Sequence, residues 1–154
     1  MVGCAPEVQM IPTLSEEQTK VIDEATTHVD YRIVNGEKLA YARDQQLPFT
    51  GWAKYVYGNG QIKDLTQYKD GKMDGVEMSW YVPNRKQNRK YVCIVRSLKT
   101  WTNNKIMSAI VWKPNGEKCD VTNLKGGNGV IVWYDEKGAE KSRETFIEGE
   151  LING

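Results

Sequence analysis

A short pattern recurs along this chain and limits what it can fold into. Gly51, Tyr57 and Gly60 stand at offsets 0, +6 and +9. Gly75, Tyr81 and Asn84 repeat those offsets 24 residues later. Gly129, Tyr134 and Gly138 follow at 0, +5 and +9, and a degenerate unit contains Trp112 and the turn Pro114-Asn115-Gly116. Trp80, Trp112 and Trp133 precede the turns of the last three units. Each unit reads glycine, strand, aromatic, turn, strand, turn. Glycine marks places where the chain reverses at positive φ or where backbones approach closely. A single hairpin is marginal in water, whereas successive hairpins share cross-strand pairs and bury a continuous surface. The pattern predicts a mainly β protein: an elongated antiparallel meander of consecutive hairpin repeats. Its repeat turn residues are Gly51, Gly60, Gly71, Gly75, Gly116, Gly129 and Gly138, with Asn59-Gly60 and Asp70-Gly71 read as tight turns and Asp74-Gly75 as a near-copy.

Upstream, "YRIVNGEKLAYA" reads as a hairpin with a type I′ turn at Asn35-Gly36. One amphipathic helix is predicted over residues 14–27, capped by Ser15 with Gln18 three residues on. Three regions follow: a flexible tail over 1–13, a capping helix over 14–30, and one repeat domain over 31–154. The charged stretch "EKSRETFIEGE" is expected to guard the terminal sheet edge against aggregation.

Bulk properties exclude several function classes. The chain has 154 residues, 21 basic against 20 acidic, with a net charge of +1, so it carries no nucleic-acid footprint. His28 is the one histidine, and no CxxC spacing exists, so neither a zinc site nor a cofactor is expected. "KGGNG" at 125–129 lacks the Lys-Ser/Thr of a phosphate loop and reads as a turn. Glu77, on a strand beside Trp80, is the best single carboxylate for acid–base work, but no partner is identifiable and no enzyme is expected. The most basic stretch holds Arg85, Lys86, Arg89, Lys90, Arg96 and Lys99, with Tyr91 and Trp101 nearby. It reads as a solvated loop and edge strand, with an anion-binding surface as the alternative.

Val2-Gly3-Cys4 resembles the end of a bacterial lipoprotein signal without its charged and apolar regions, so Cys4 is a lipidation candidate with the following tail as a membrane tether, and an accidental resemblance is the alternative. Cys93 and Cys119 then remain as an even pair: a disulfide in an oxidising envelope, or two buried thiols.

The units "GWAKYVYGNGQIKDLTQYKDGKMDG" and "GVEMSWYVPN" resemble the MORN repeat variant, roughly G-x-x-x-x-Y-Y-x-N-G followed by y-x-D-G-K-x-x-G. The resemblance covers about residues 31 to 150 and departs at 82–104. It is shared with bacterial YwqK-like antitoxin proteins, often secreted or lipoprotein-like. It implies protein–protein contact, sometimes lipid binding, and brings no catalytic residues. The resulting expectation is a non-enzymatic binding or scaffold protein of the bacterial envelope. Trp52, Tyr55, Tyr57, Trp80, Tyr81, Trp112 and Trp133 are its partner-binding candidates, and self-association through sheet edges is a related form. An intracellular toxin inhibitor and a carbohydrate-binding module that stacks sugars on tryptophan are the alternatives.

Overall fold

The computed structural model describes residues 20–21, 24–82 and 94–154. Cys4, Cys93, the Ser15 cap and residues 83–93 lie outside the described residues. Ten strands follow in order: β1 (Val29–Val34), β2 (Glu37–Ala42), β3 (Gly51–Val56), β4 (Ile62–Lys69), β5 (Lys72–Trp80), β6 (Val95–Thr102), β7 (Lys105–Val111), β8 (Gly129–Tyr134), β9 (Glu140–Ile147) and β10 (Glu150–Asn153). The fold is mainly β. Every strand pair is antiparallel and joins neighbours in sequence.

Two turn chemistries alternate. Asn35-Gly36, Asp70-Gly71, Asn103-Asn104 and Glu148-Gly149 each hold two successive residues at positive φ, the geometry of a type I′ hairpin. The turns at 57–61, 113–117 and 135–139 are wider. In each the first amide donates to the fifth carbonyl (2.7, 2.8 and 2.9 Å). Gly60, Gly116 and Gly138 take the positive-φ position.

The ladder breaks twice, giving sheets β1–β2, β3–β7 and β8–β10 in place of one continuous meander. The breaks fall at 43–50 and 112–128, each containing a proline that has no amide to donate. Backbone hydrogen bonds still tie the sheets together. Ala40 N donates to Gly71 O, Gly71 N to Phe49 O, and Phe49 N to Ala40 O. Ile106 N donates to Gly149 O, Gly149 N to Gly127 O, and Gly127 N to Met107 O.

Three expectations need correction. Gly51, Gly75 and Gly129 lie within strands rather than turns, at φ of 146°, 110° and 135°. At Gly75 the β4–β5 register shifts, and the Gln67 amide fills the space a side chain would need. The terminal edge is β10, because Glu148-Gly149 reverses the chain once more and makes charged β9 an inner strand. β10 exposes Leu151 and Ile152. Lys20, Val21 and Glu24 are helical, but Thr26 already bridges Ala53 and β1 begins at Val29, so the helix stops short of 27.

Register assigns the two faces of the five-stranded sheet. One face carries Lys54–Leu65–Met78–Leu98–Ile110 in a row across β3 to β7. Val21 and Ala25 pack with Trp52, Leu65, Met78 and Trp80, in a cluster on this side. The other face carries two rows, Ala53–Thr66–Glu77–Lys99–Ala109 and Tyr55–Asp64–Ser79–Ser97–Val111. Its ends are covered from both sides. Ala40 and Val29 of the first hairpin pack on Ala53 and Tyr68. Ile131, Val132 and Tyr134 of β8 belong to the cluster containing Ala109 and Val111.

Candidate functional site

The polar rows leave a charged seam between those two covers. Lys99 Nζ sits 2.6 Å from Glu77 Oε1, and Trp101 Nε1 donates to Glu77 Oε2 at 2.8 Å. Both charged side chains are only 13–14% exposed. Ser79 and Ser97 exchange a buried hydrogen bond of 2.7 Å across β5 and β6. Glu77, the carboxylate singled out from sequence, is thus engaged by a cation and an indole N–H.

On one side of the seam, Tyr31 Oη lies 2.7 Å from Tyr68 Oη and 3.3 Å from Tyr55 Oη. Burial pushes the Tyr31 phenol up to about 12, with Tyr55 lowering and Tyr68 raising it. Burial also raises Asp64, against the pull of Lys63 and reinforced by Glu77. A carboxyl whose folded pKa is raised binds its proton more readily folded than unfolded. Its contribution is then most favourable below the unfolded pKa, and stability falls as pH rises towards the folded pKa. Asp64→Asn is therefore expected to be more stable than the parent at pH 7, by up to about 1 kcal/mol. That advantage disappears near pH 3, which urea unfolding at the two pH values will measure.

On the other side the repeat positions converge. Tyr57 Oη donates to Trp80 O at 2.7 Å, and Tyr81 Oη donates to Trp112 O at 2.8 Å. Each tyrosine thus fastens one hairpin to a later one. Tyr134, the same position of the last unit, meets Cys119 Sγ at 3.1 Å instead. Burial opposes ionisation of the Cys119 thiol, but hydrogen bonds from Thr122 and Tyr134 outweigh it and hold the thiol below its usual value. The same contact pushes Tyr134 up to about 12. Cys119 is a buried free thiol, and its proposed partner Cys93 lies outside the described residues.

These three tyrosines, with Val82 and Arg96, line a cavity of about 400 Å³, within the range of small-ligand sites. The wide turn Asp135–Lys137 and Lys141 complete it. The Arg96 guanidinium lies 4.9 Å from the Trp133 ring centre and 5.8 Å from that of Tyr81. It forms no ion pair with the described residues, and its buried Nε makes no hydrogen bond among them. A buried donor left unmatched costs about 1–3 kcal/mol. Arg96 is also aligned by its backbone, since its carbonyl accepts from Trp112 N at 3.0 Å. Burial raises the Tyr57 and Tyr81 phenols, with the Arg96 charge acting against it in both.

The seven aromatic candidates do not share one surface. Tyr57 and Tyr81 come together in the cavity, and Trp133 reaches it through Arg96. Trp80 is buried, and it packs with Trp52 on the opposite face of the sheet. Tyr55 belongs to the tyrosine cluster on the far side of the seam. Trp112 is half-buried, and none of the five tryptophans is exposed. The reason is cover on both faces: Val21 and Ala25 pack with Trp52 and Trp80, while the terminal hairpins close on the ends of the other face. Sequence reasoning missed Tyr134 as a site residue, although its place at the tyrosine position of the repeat signalled it. Arg96 was visible as part of a basic stretch, and Lys137 and Lys141 carried no signal.

No model of a known protein family, no curated protein and no solved structure matches the chain. Among the described residues there is no helix long and apolar enough to cross a membrane, and no cluster of three or more metal-ligating side chains.

Proposed function

We propose that this is a non-enzymatic, MORN-like repeat protein that acts as a protein-binding module. Its recognition site is the cavity ringed by Tyr57, Tyr81, Tyr134 and Arg96. The observation that carries this reading is convergence: the tyrosine position of three of the four repeat units supplies one wall each, as repeat proteins build binding surfaces from equivalent residues. Tyrosine offers large, rigid, amphipathic contact area, and arginine with tyrosine dominates protein-binding hot spots. The half-buried or buried state of every tryptophan favours this reading over sugar stacking, which needs free ring faces.

Selection from a displayed random-peptide library tests the proposal. Peptides enriched on the parent protein are expected to be lost on Tyr57→Ala and on Arg96→Gln. Enrichment that persists on both variants, or no enrichment at all, contradicts it.

A further inference from the structure

Arg96 stands out because its charge forms no ion pair among the described residues. Every other feature of the seam is matched: Lys99 has Glu77, Trp101 has Glu77, and the two serines have each other. Arg96 instead rests between the Trp133 and Tyr81 rings at the wall of an open cavity. Two further cations, Lys137 and Lys141, line the same cavity and form no ion pair with the described residues. Of the two acidic residues there, Asp135 is committed to its own turn, where Oδ1 accepts from Lys137 N and Ala139 N at 2.9 Å each. Glu136 is exposed on that turn. Among the described lining residues, three cations stand against two carboxylates, an excess of one positive charge that matches a monoanion.

We infer that the cavity binds a carboxylate of its protein partner, held by the Arg96 guanidinium and flanked by the repeat tyrosines. This inference rests on the protein-binding reading and names the group recognised. Guanidinium and carboxylate match in planar, two-pronged geometry, and stacking on aromatic rings leaves the guanidinium edge free to donate. The lysines add attraction at longer range. A dianionic phosphate group would find only half its charge balanced. An aspartate or glutamate side chain and a chain terminus supply the same chemistry, so the test separates them.

The experiment follows the Arg96 Nε–H resonance and the tyrosine ring signals by NMR during titration. The probes are acetyl-Gly-Glu-Gly-amide, its glutamine counterpart, acetyl-Gly-Gln-Gly with a free terminal carboxylate, and inorganic phosphate. Saturable shifts are expected with the glutamate peptide or the free-terminus peptide, whichever source fits. The amidated glutamine peptide is expected to bind at least about tenfold more weakly. Arg96→Gln removes the difference, and Lys141→Gln reduces it by roughly two- to threefold. Equal affinity for the glutamine amide, no saturable shift with either carboxylate, or tighter binding of phosphate overturns the inference. Should library-selected peptides bind in the cavity irrespective of their carboxylates, the inference fails while the binding module stands. An empty selection removes the module itself.

Discussion

Gly129→Ala is expected to destabilise the protein by about 2–5 kcal/mol. Gly129 opens β8 at φ 135°, a conformation that L side chains rarely adopt. A Cβ there would sit 2.8 Å from Asn123 Oδ1, and 2.9 Å from both Asn123 O and Leu124 Cα. Two of those atoms belong to the backbone and cannot swing away. The third accepts the Val130 amide at 2.8 Å, and Asn123 N returns a bond to Val130 O. Pushing Asn123 aside therefore releases the strand that delivers Ile131 and Val132, at 1% and 0% exposure, into the core. Gly36→Ala is the control. It too has positive φ, but nothing lies within 4 Å of its added carbon, so only backbone strain of about 1–2 kcal/mol applies. Urea unfolding with unchanged m-values measures both. Similar losses at the two sites would sink the close-packing argument.

Lys99→Met is expected to cost about 2–4 kcal/mol. The figure sits slightly below the range for fully buried pairs because Glu77 and Lys99 retain some access to water. The loss arises less from the missing attraction than from the carboxylate left behind. Glu77 would keep the Trp101 N–H but lose the charge that offsets its desolvation. Adding Glu77→Gln removes that charge, so the double variant should recover most of the loss. A double-mutant cycle is expected to give a coupling of about 1–3 kcal/mol. Additive losses would show that the pair is solvated rather than part of the packed seam.

The sequence was legible where local chemistry dictates geometry. Asn35-Gly36 and Asp70-Gly71 pair two residues that tolerate positive φ, and both make type I′ turns. The turns at Gly60, Gly116 and Gly138 were equally plain as reversals, since glycine occupies the one position that demands it, but not in width: Asn59-Gly60 reads as a tight turn and forms a wider one. Glu148-Gly149 was not, because glutamate seldom takes φ of 51°, and β10 went unseen with it. Asn103-Asn104 lacks glycine altogether. Its Asn104 side chain instead accepts from Met73 N at 2.8 Å and donates to Lys38 O at 3.2 Å, contacts that only the folded sheet supplies. Strand periodicity assigned alternate faces but not which face would be covered. Trp80 and Tyr55 therefore looked alike in sequence, though one is 2% and the other 37% exposed. The site follows the same division: the repeat offset found Tyr57 and Tyr81, whereas Arg96 acquires its meaning from Trp133, 37 residues away in the sequence.

Calorimetric titration of the strongest library-selected peptide tests the central claim most directly. It compares the parent protein with Arg96→Gln and with Arg43→Gln, a matched charge loss at an exposed residue outside the cavity. A cavity built by the repeat tyrosines around Arg96 predicts at least about tenfold weaker binding for Arg96→Gln and about unchanged binding for Arg43→Gln. Equal weakening by both variants, or by neither, would contradict it.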